Sequence, residues 1–329
     1  MSGSTKKPLG LGLSSRDAFG RMLVRLGEGD DRVVALTADL ASSVRVAEFG
    51  ERFPERMFNF GVAEQNMMGA AAGLALSGKI PFVSTYAVFA TLRAAEQMRT
   101  DVAYMNLPVR ICVSHSGLSL GPGGPTHHSI EDIAIYRAIA NMTVIVPADG
   151  LGTVAALRTI KDWDGPVFVR LSRATEPTVY AQAFRFRVGR GTLVREGKDV
   201  SIIACGSCVG RSLQAADALS EEGLDPQVID MASVKPIDRD LIVAAAEKTK
   251  RIVTVEEHSV IGGLGGAVSE VVAEEGLAVR LTRLGLKDHF ATTGPYDELL
   301  ALYGLDAEGI AATIRDLMTP GKHPGSREA

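Results

Sequence analysis

Glu64 stands where an extended apolar segment turns into a helix of small residues, in the run Asn59-Phe60-Gly61-Val62-Ala63-Glu64-Gln65-Asn66-Met67-Met68-Gly69. A single acid opening such a helix projects from the edge of a sheet, where it can share a proton with a bound ring. Further on, Ser84-Thr85-Tyr86-Ala87-Val88-Phe89 is an extended segment that ends in aromatics, and one helical turn would set Tyr86 and Phe89 on one face. Then Gly121-Pro122-Gly123-Gly124-Pro125-Thr126-His127-His128 forms a glycine-rich loop ending in two imidazoles, with His115 ahead of it. An acid, an aromatic platform and a histidine loop, all at strand ends, suit a site for a flat heteroaromatic cofactor. Each has a plain structural reading when taken singly: a favourable charge at a helix N-terminus, core rings, satisfied histidines. Their grouping favours chemistry. Metal binding by the histidines is not expected, because no acidic or cysteine partner shares a ligand-like spacing.

The elements that would position these residues alternate short apolar strands with helices. That pattern predicts an α/β chain of two doubly wound domains with mainly parallel sheets. Strands are expected at 33–36, 58–60, 80–84, 110–114, 143–146 and 167–171, then at 200–204, 227–230, 251–256 and 279–284. Helices are expected at 14–26, 64–76 and 151–161, with Ser15 and Asp149 as N-caps. The chain divides near 185, where Phe184-Arg185-Phe186-Arg187-Val188-Gly189-Arg190-Gly191 alternates apolar and basic residues like an edge strand or linker. The expected units are a flexible tail at 1–13, a first domain at 14–185, a second at 186–319 and a frayed polar tail at 320–329.

Composition narrows the class. The 329 residues are 46% hydrophobic and 22% charged, with a net charge of −4, which is ordinary for a globular protein. No basic footprint points to nucleic acid, and no apolar run reaches the roughly 20 residues needed to cross a bilayer. The polar N-terminus lacks a signal-peptide core, so the expected location is cytoplasmic. Cys112, Cys205 and Cys208 are too sparse for a disulfide framework. Cys205-Gly206-Ser207-Cys208 reads as small residues at a strand-to-helix turn, since no second Cys/His pair lies near it. Gly262-Gly263-Leu264-Gly265-Gly266 lacks dinucleotide spacing and reads as a tight turn into a helix.

In order and wording, the acid, aromatic and histidine segments resemble the pyrimidine-binding half of transketolase and related thiamine diphosphate enzymes. The resemblance runs over roughly 14–315, and its second part resembles the C-terminal domain shared by transketolases and 2-oxo acid dehydrogenase beta subunits. It implies that Glu64 hydrogen-bonds N1′ of the aminopyrimidine and helps the cofactor's C2 lose its proton. Phe89 would stack on the aminopyrimidine, Tyr86 would line the same pocket, and Asp39 would lie near the cofactor. His127 would sit beside the reacting carbon. Ser43, His115 and Arg173 match contacts to the sugar phosphate, a role for which a guanidinium fork is well suited. One departure stands out: Gly123 occupies the place of an aspartate that helps select the acceptor's hydroxyl configuration.

The family binds the cofactor's diphosphate and Mg2+ through Gly-Asp-Gly and a later asparagine in a separate domain. Gly29-Asp30-Asp31 with Asn59 is a poor match, because Asp31 replaces a glycine and adds a repelling charge. The resemblance therefore implies the C-terminal subunit of a split, heteromeric transketolase that moves a two-carbon ketol unit between sugar phosphates. Its partner would be an N-terminal subunit supplying the diphosphate domain and the Mg2+ ligands, in an α2β2 assembly. The alternatives are a 1-deoxy-xylulose-5-phosphate synthase-like enzyme, a 2-oxo acid dehydrogenase beta subunit and a catalytically silent assembly subunit.

Overall fold

The computed structural model describes residues 9–319. The N-terminal half supplies β1 (Val33–Thr37), β2 (Met57–Asn59), β3 (Ile80–Ser84), β4 (Arg110–Val113), β5 (Thr143–Ile145) and β6 (Val167–Arg170). The C-terminal half supplies β7 (Thr192–Arg195), β8 (Val200–Ala204), β9 (Pro226–Asp230), β10 (Ser233–Lys235), β11 (Arg251–Ser259) and β12 (Arg280–Leu286). They form a seven-stranded sheet, β10-β5-β6-β4-β3-β1-β2, and a five-stranded sheet, β12-β11-β8-β9-β7. All pairings are parallel except those of β10 with β5 and β7 with β9. Strands β1, β3, β4 and β6 are buried along their whole length, as expected where helices cover both faces of a parallel sheet. The expected architecture is therefore present.

Differences in detail have local causes. Ser14, not Ser15, caps the helix Ser15–Gly29, its Oγ accepting from Asp17 N at 3.1 Å. Ser15 donates its Oγ to Glu176 at 2.6 Å and accepts from Ser172 N at 2.9 Å, tying the helix to the end of β6. Asp149 caps the helix Gly150–Ile160 through Gly152 N at 2.7 Å. Residues 9–13, expected within a flexible tail, are packed instead. Leu9 and Leu13 lie on the core, and Gly10 abuts Gly150 so closely that a Cβ on either would strike backbone. The rest of that tail and 320–329 lie outside the described residues.

The basic-apolar stretch near 185 contributes no strand; pairing begins at Thr192, and Phe184 stacks on Tyr180 with ring centroids 4.0 Å apart. The edge strand β10 comes from the C-terminal half yet completes the first sheet, and Val146 N donates to Ala232 O at 2.7 Å beside it. One hydrophobic cluster runs through both sheets, joining Leu36 and Val83 to Ile203, Ile229 and Val234. Among the described residues, no helix is long and apolar enough to cross a membrane.

Candidate functional site

The candidate residues lie just past the carboxyl ends of the first sheet's strands: Asp39 after β1, Tyr86 after β3, His115 after β4, and Arg173 after β6. Open α/β sheets place ligands at this edge. Asp39, Arg45 and His115 adopt positive φ of 60°, 66° and 61°, a strained conformation for residues with a Cβ, costing about 1–3 kcal/mol each and clustering where geometry serves a site.

The rings converge. Tyr86 ends the extended segment as N-cap of the helix Ala87–Arg93, so Phe89 follows one turn later and the two stack, with centroids 5.6 Å apart and planes 24° apart. His115 lies against Tyr86 with centroids at 3.9 Å. His127 meets Phe89 edge-on at 5.4 Å and Tyr86 at 6.5 Å. The hydroxyls of Tyr86 and Ser43 are 3.1 Å apart, bringing the segment after β1 to the same wall.

Glu64 opens the helix Glu64–Leu76 and is buried, at 4% exposure. Its partner is Arg93, at the end of the helix that carries Phe89. The Arg93 guanidinium donates to Glu64 Oε1 at 3.0 Å and lies over the Phe89 ring at 3.7 Å. A planar, nitrogen-bearing group thus already spans the gap between the acid and the aromatic face. Asn59 secures this end: its Oδ1 accepts from Asp39 N at 2.9 Å and from Gly61 N at 3.1 Å. It joins the ends of β1 and β2 to the turn before Glu64.

At the other end the chain gathers positive charge. Arg16 donates to Ser43 O at 3.0 Å, and Arg45 is held by Asp17 through Nε–Oδ1 at 2.6 Å. With the exposed Arg173, they act on His115. Burial first, and then the fields of Arg16, Arg173 and Arg45, push the His115 imidazole down to about 3. His115 is 1% exposed and neutral, and the guanidiniums carry the charge. Gly123 has a physical reason to stay small: a Cβ there would lie 2.9 Å from Leu120 Cγ and 3.0 Å from the Cβ of His127.

The chain is similar over most of its length to known proteins. The model of the transketolase pyrimidine-binding domain matches residues 12–177, and that of the transketolase C-terminal domain matches residues 189–310. The chain belongs to the transketolase family. A Methanocaldococcus jannaschii chain provisionally named as a transketolase C-terminal section is 46% identical over 92% of this chain and 96% of its own length. An apulose-4-phosphate transketolase subunit of Phocaeicola vulgatus is 39% identical over 93% of this chain and 98% of its own. A solved split-gene transketolase, described as an inactive β4 tetramer, is 45% identical with a TM-score of 0.84, covering 92% of this chain and 97% of that one. The 1-deoxy-D-xylulose-5-phosphate synthase of Syntrophotalea carbinolica is 40% identical over 96% of this chain, which spans 50% of that protein.

Within this transketolase frame, sequence reasoning missed Arg16, Arg45 and Arg93. Arg16 sits in a helix's first turn, where a cation works against the dipole. That misfit was the one available signal. The His115 assignment has a direct check. A histidine with a folded pKa below its ordinary 6.5 binds fewer protons than the unfolded chain between those values. Its stabilising contribution is therefore full above about pH 6.5 and is lost as pH falls toward about 3. NMR should show a His115 ring that does not titrate between about pH 5 and 8, and His115→Gln should flatten the acid limb of the melting curve. A ring titrating near its ordinary value would mean that it faces solvent.

Proposed function

We propose that this chain is the cofactor-activating, donor-binding subunit of a heteromeric thiamine diphosphate-dependent transketolase, transferring a two-carbon ketol unit between sugar phosphates. The observation that carries the reading is the line from Glu64 through Phe89, Tyr86 and His127 to the arginine cluster. The bound group would supply a carbon that adds to a ketose carbonyl and an electron sink for the bond that breaks. The residues fit it, because Arg93 already stacks on Phe89 while donating to Glu64, the pair of contacts an aminopyrimidine would make there. Glu64 would hold a proton at N1′, Phe89 and Tyr86 would bury the ring, and Asp39 would lie beside it. His127, edge-on to Phe89, would move protons at the donor's carbonyl or hydroxyl.

Ser43, Arg173 and the neighbouring Arg16 would bind the terminal phosphate, with neutral His115 as a hydrogen-bonding neighbour. The partner would be an N-terminal subunit carrying the diphosphate-binding domain and the Mg2+ ligands, in a cytoplasmic α2β2 assembly. A synthase-like reaction is a second reading, favoured by the 40% identity to 1-deoxy-D-xylulose-5-phosphate synthase.

Substrate preference in the reconstituted complex tests the assignment. Arg173→Ala should raise KM for a phosphorylated ketose far more than for its unphosphorylated counterpart. A charge-assisted contact is worth about 1.5–3 kcal/mol, which is about tenfold to more than a hundredfold in binding. Equal losses for both would withdraw the phosphate role. Release of CO2 from pyruvate with no transfer from ketose phosphates would decide for the synthase reading.

A further inference from the structure

The loop between His115 and His128 does not stand on the first sheet alone. Glu257 leaves β11 in the C-terminal half, and its buried carboxylate reaches the loop's base. There Oε1 accepts from Leu118 N, while Oε2 accepts from Ser207 Oγ and from Tyr296 OH, each at 2.7 Å. Gly117, at φ +58°, faces that carboxylate so closely that a Cβ would overlap it. Gly117 and Ser129 close the base by exchanging backbone hydrogen bonds of 3.0 and 3.1 Å. Arg170 bonds both sides of the seam, donating Nη2 to Ser129 O at 3.0 Å and to Glu257 O at 2.9 Å.

The loop's tip is held by the same half. A Cβ on Gly121 would strike Gly294 O, and one on Gly124 would lie 2.5 Å from Thr293 Oγ1. Among the described residues, by contrast, the His127 side chain hydrogen-bonds only the adjacent Thr126, at 2.9 Å, and touches rings edge-on. Its place is therefore set by the loop backbone, and that backbone is held in part by the second domain.

We propose that Glu257, with Tyr296 and Ser207, is a positioning residue for His127, so that the C-terminal domain takes part in donor processing as well as in assembly. The proposal rests on the transketolase reading given above. A carboxylate that accepts three hydrogen bonds while buried is a charge-assisted, directional anchor. Replacing it with an amide removes the charge and turns one acceptor into a donor. The loop then relaxes while Glu64 and Phe89, on other elements, keep their places. A displacement of about 1 Å at a reacting group costs on the order of a hundredfold in rate.

The experiment compares wild type, Glu257→Gln and the milder Tyr296→Phe. In the full chain alone, hydrogen exchange at the 117–124 amides should accelerate in Glu257→Gln, with β1 and β3 unchanged. In the reconstituted complex, kcat should fall by about ten- to a hundredfold while KM for a ketose phosphate and deuterium exchange at the cofactor's C2 stay near wild type. Tyr296→Phe should shift the same quantities less, and it carries the test if Glu257→Gln does not fold. Unchanged loop exchange would overturn the proposal. So would a parallel fall of C2 exchange, kcat and melting temperature, which would mean general destabilisation. A wild-type complex with no C2 exchange would refute the transketolase reading itself, leaving the loop exchange to decide whether Glu257 holds the loop.

Discussion

Purified alone and supplied with thiamine diphosphate, magnesium and a ketose phosphate, this chain is expected to transfer no ketol unit. Activity should appear when a second subunit carrying a diphosphate-binding domain is added. The Gly29-Asp30-Asp31 and Asn59 segments, superficially like a metal-diphosphate motif, are committed elsewhere. Asp30 bonds Arg32 through Nη2 at 2.7 Å and Lys161 Nζ at 3.0 Å, contacts that hold its carboxyl well below the usual range. Freeing that acid for a cation would break two ion pairs, while the exposed Asp31 next to it repels a diphosphate. Asn59 is occupied by Asp39 and Gly61. A coupled assay for aldose release, run with and without the partner, checks this. Turnover by the isolated chain at a rate matching the mixture would remove the need for a partner.

Glu64→Gln should cut deuterium exchange at the cofactor's C2 by about 10²–10⁴-fold, the typical cost of losing a positioned proton partner. The amide keeps the shape of the side chain but cannot take the proton, so melting should change little. Arg93 loses its ion-pair partner, yet at 48% side-chain exposure it has water at hand. Arg93→Ala is the control, since it leaves Glu64 in place and should preserve most of the exchange. Exchange that survives Glu64→Gln would remove this acid from the mechanism.

The residues at strand ends were legible because each follows an apolar run and breaks it with a polar, aromatic or glycine-rich segment. Asp39, Glu64, Tyr86, His115 and Arg173 all read this way, and the parallel α/β architecture followed from the same alternation. Apart from the cation in the first turn at Arg16, what escaped had no local signature. Strands β7 and β10 are four and three residues long and pair antiparallel at sheet edges, so neither length nor alternation marks them. Arg16 and Arg45 look like surface charge until the fold brings the first helix against the segment after β1. The neutrality of His115 depends on burial by residues distant in sequence. Glu257 lies inside the buried strand β11, 139 residues from the Leu118 amide that it holds. Such contacts belong to the tertiary structure.

Strand β10 has a consequence for any attempt to divide the chain. It pairs with β5 although it is made by the C-terminal half, and the cluster running through both sheets leaves no dry seam between them. A fragment ending near residue 185 would keep every ring and acid of the proposed site. It would also present β5 as a raw border of unpaired amides and carbonyls beside uncovered apolar surface, a template for self-association. The two halves can be told apart by sequence, but as foldable pieces they are one object.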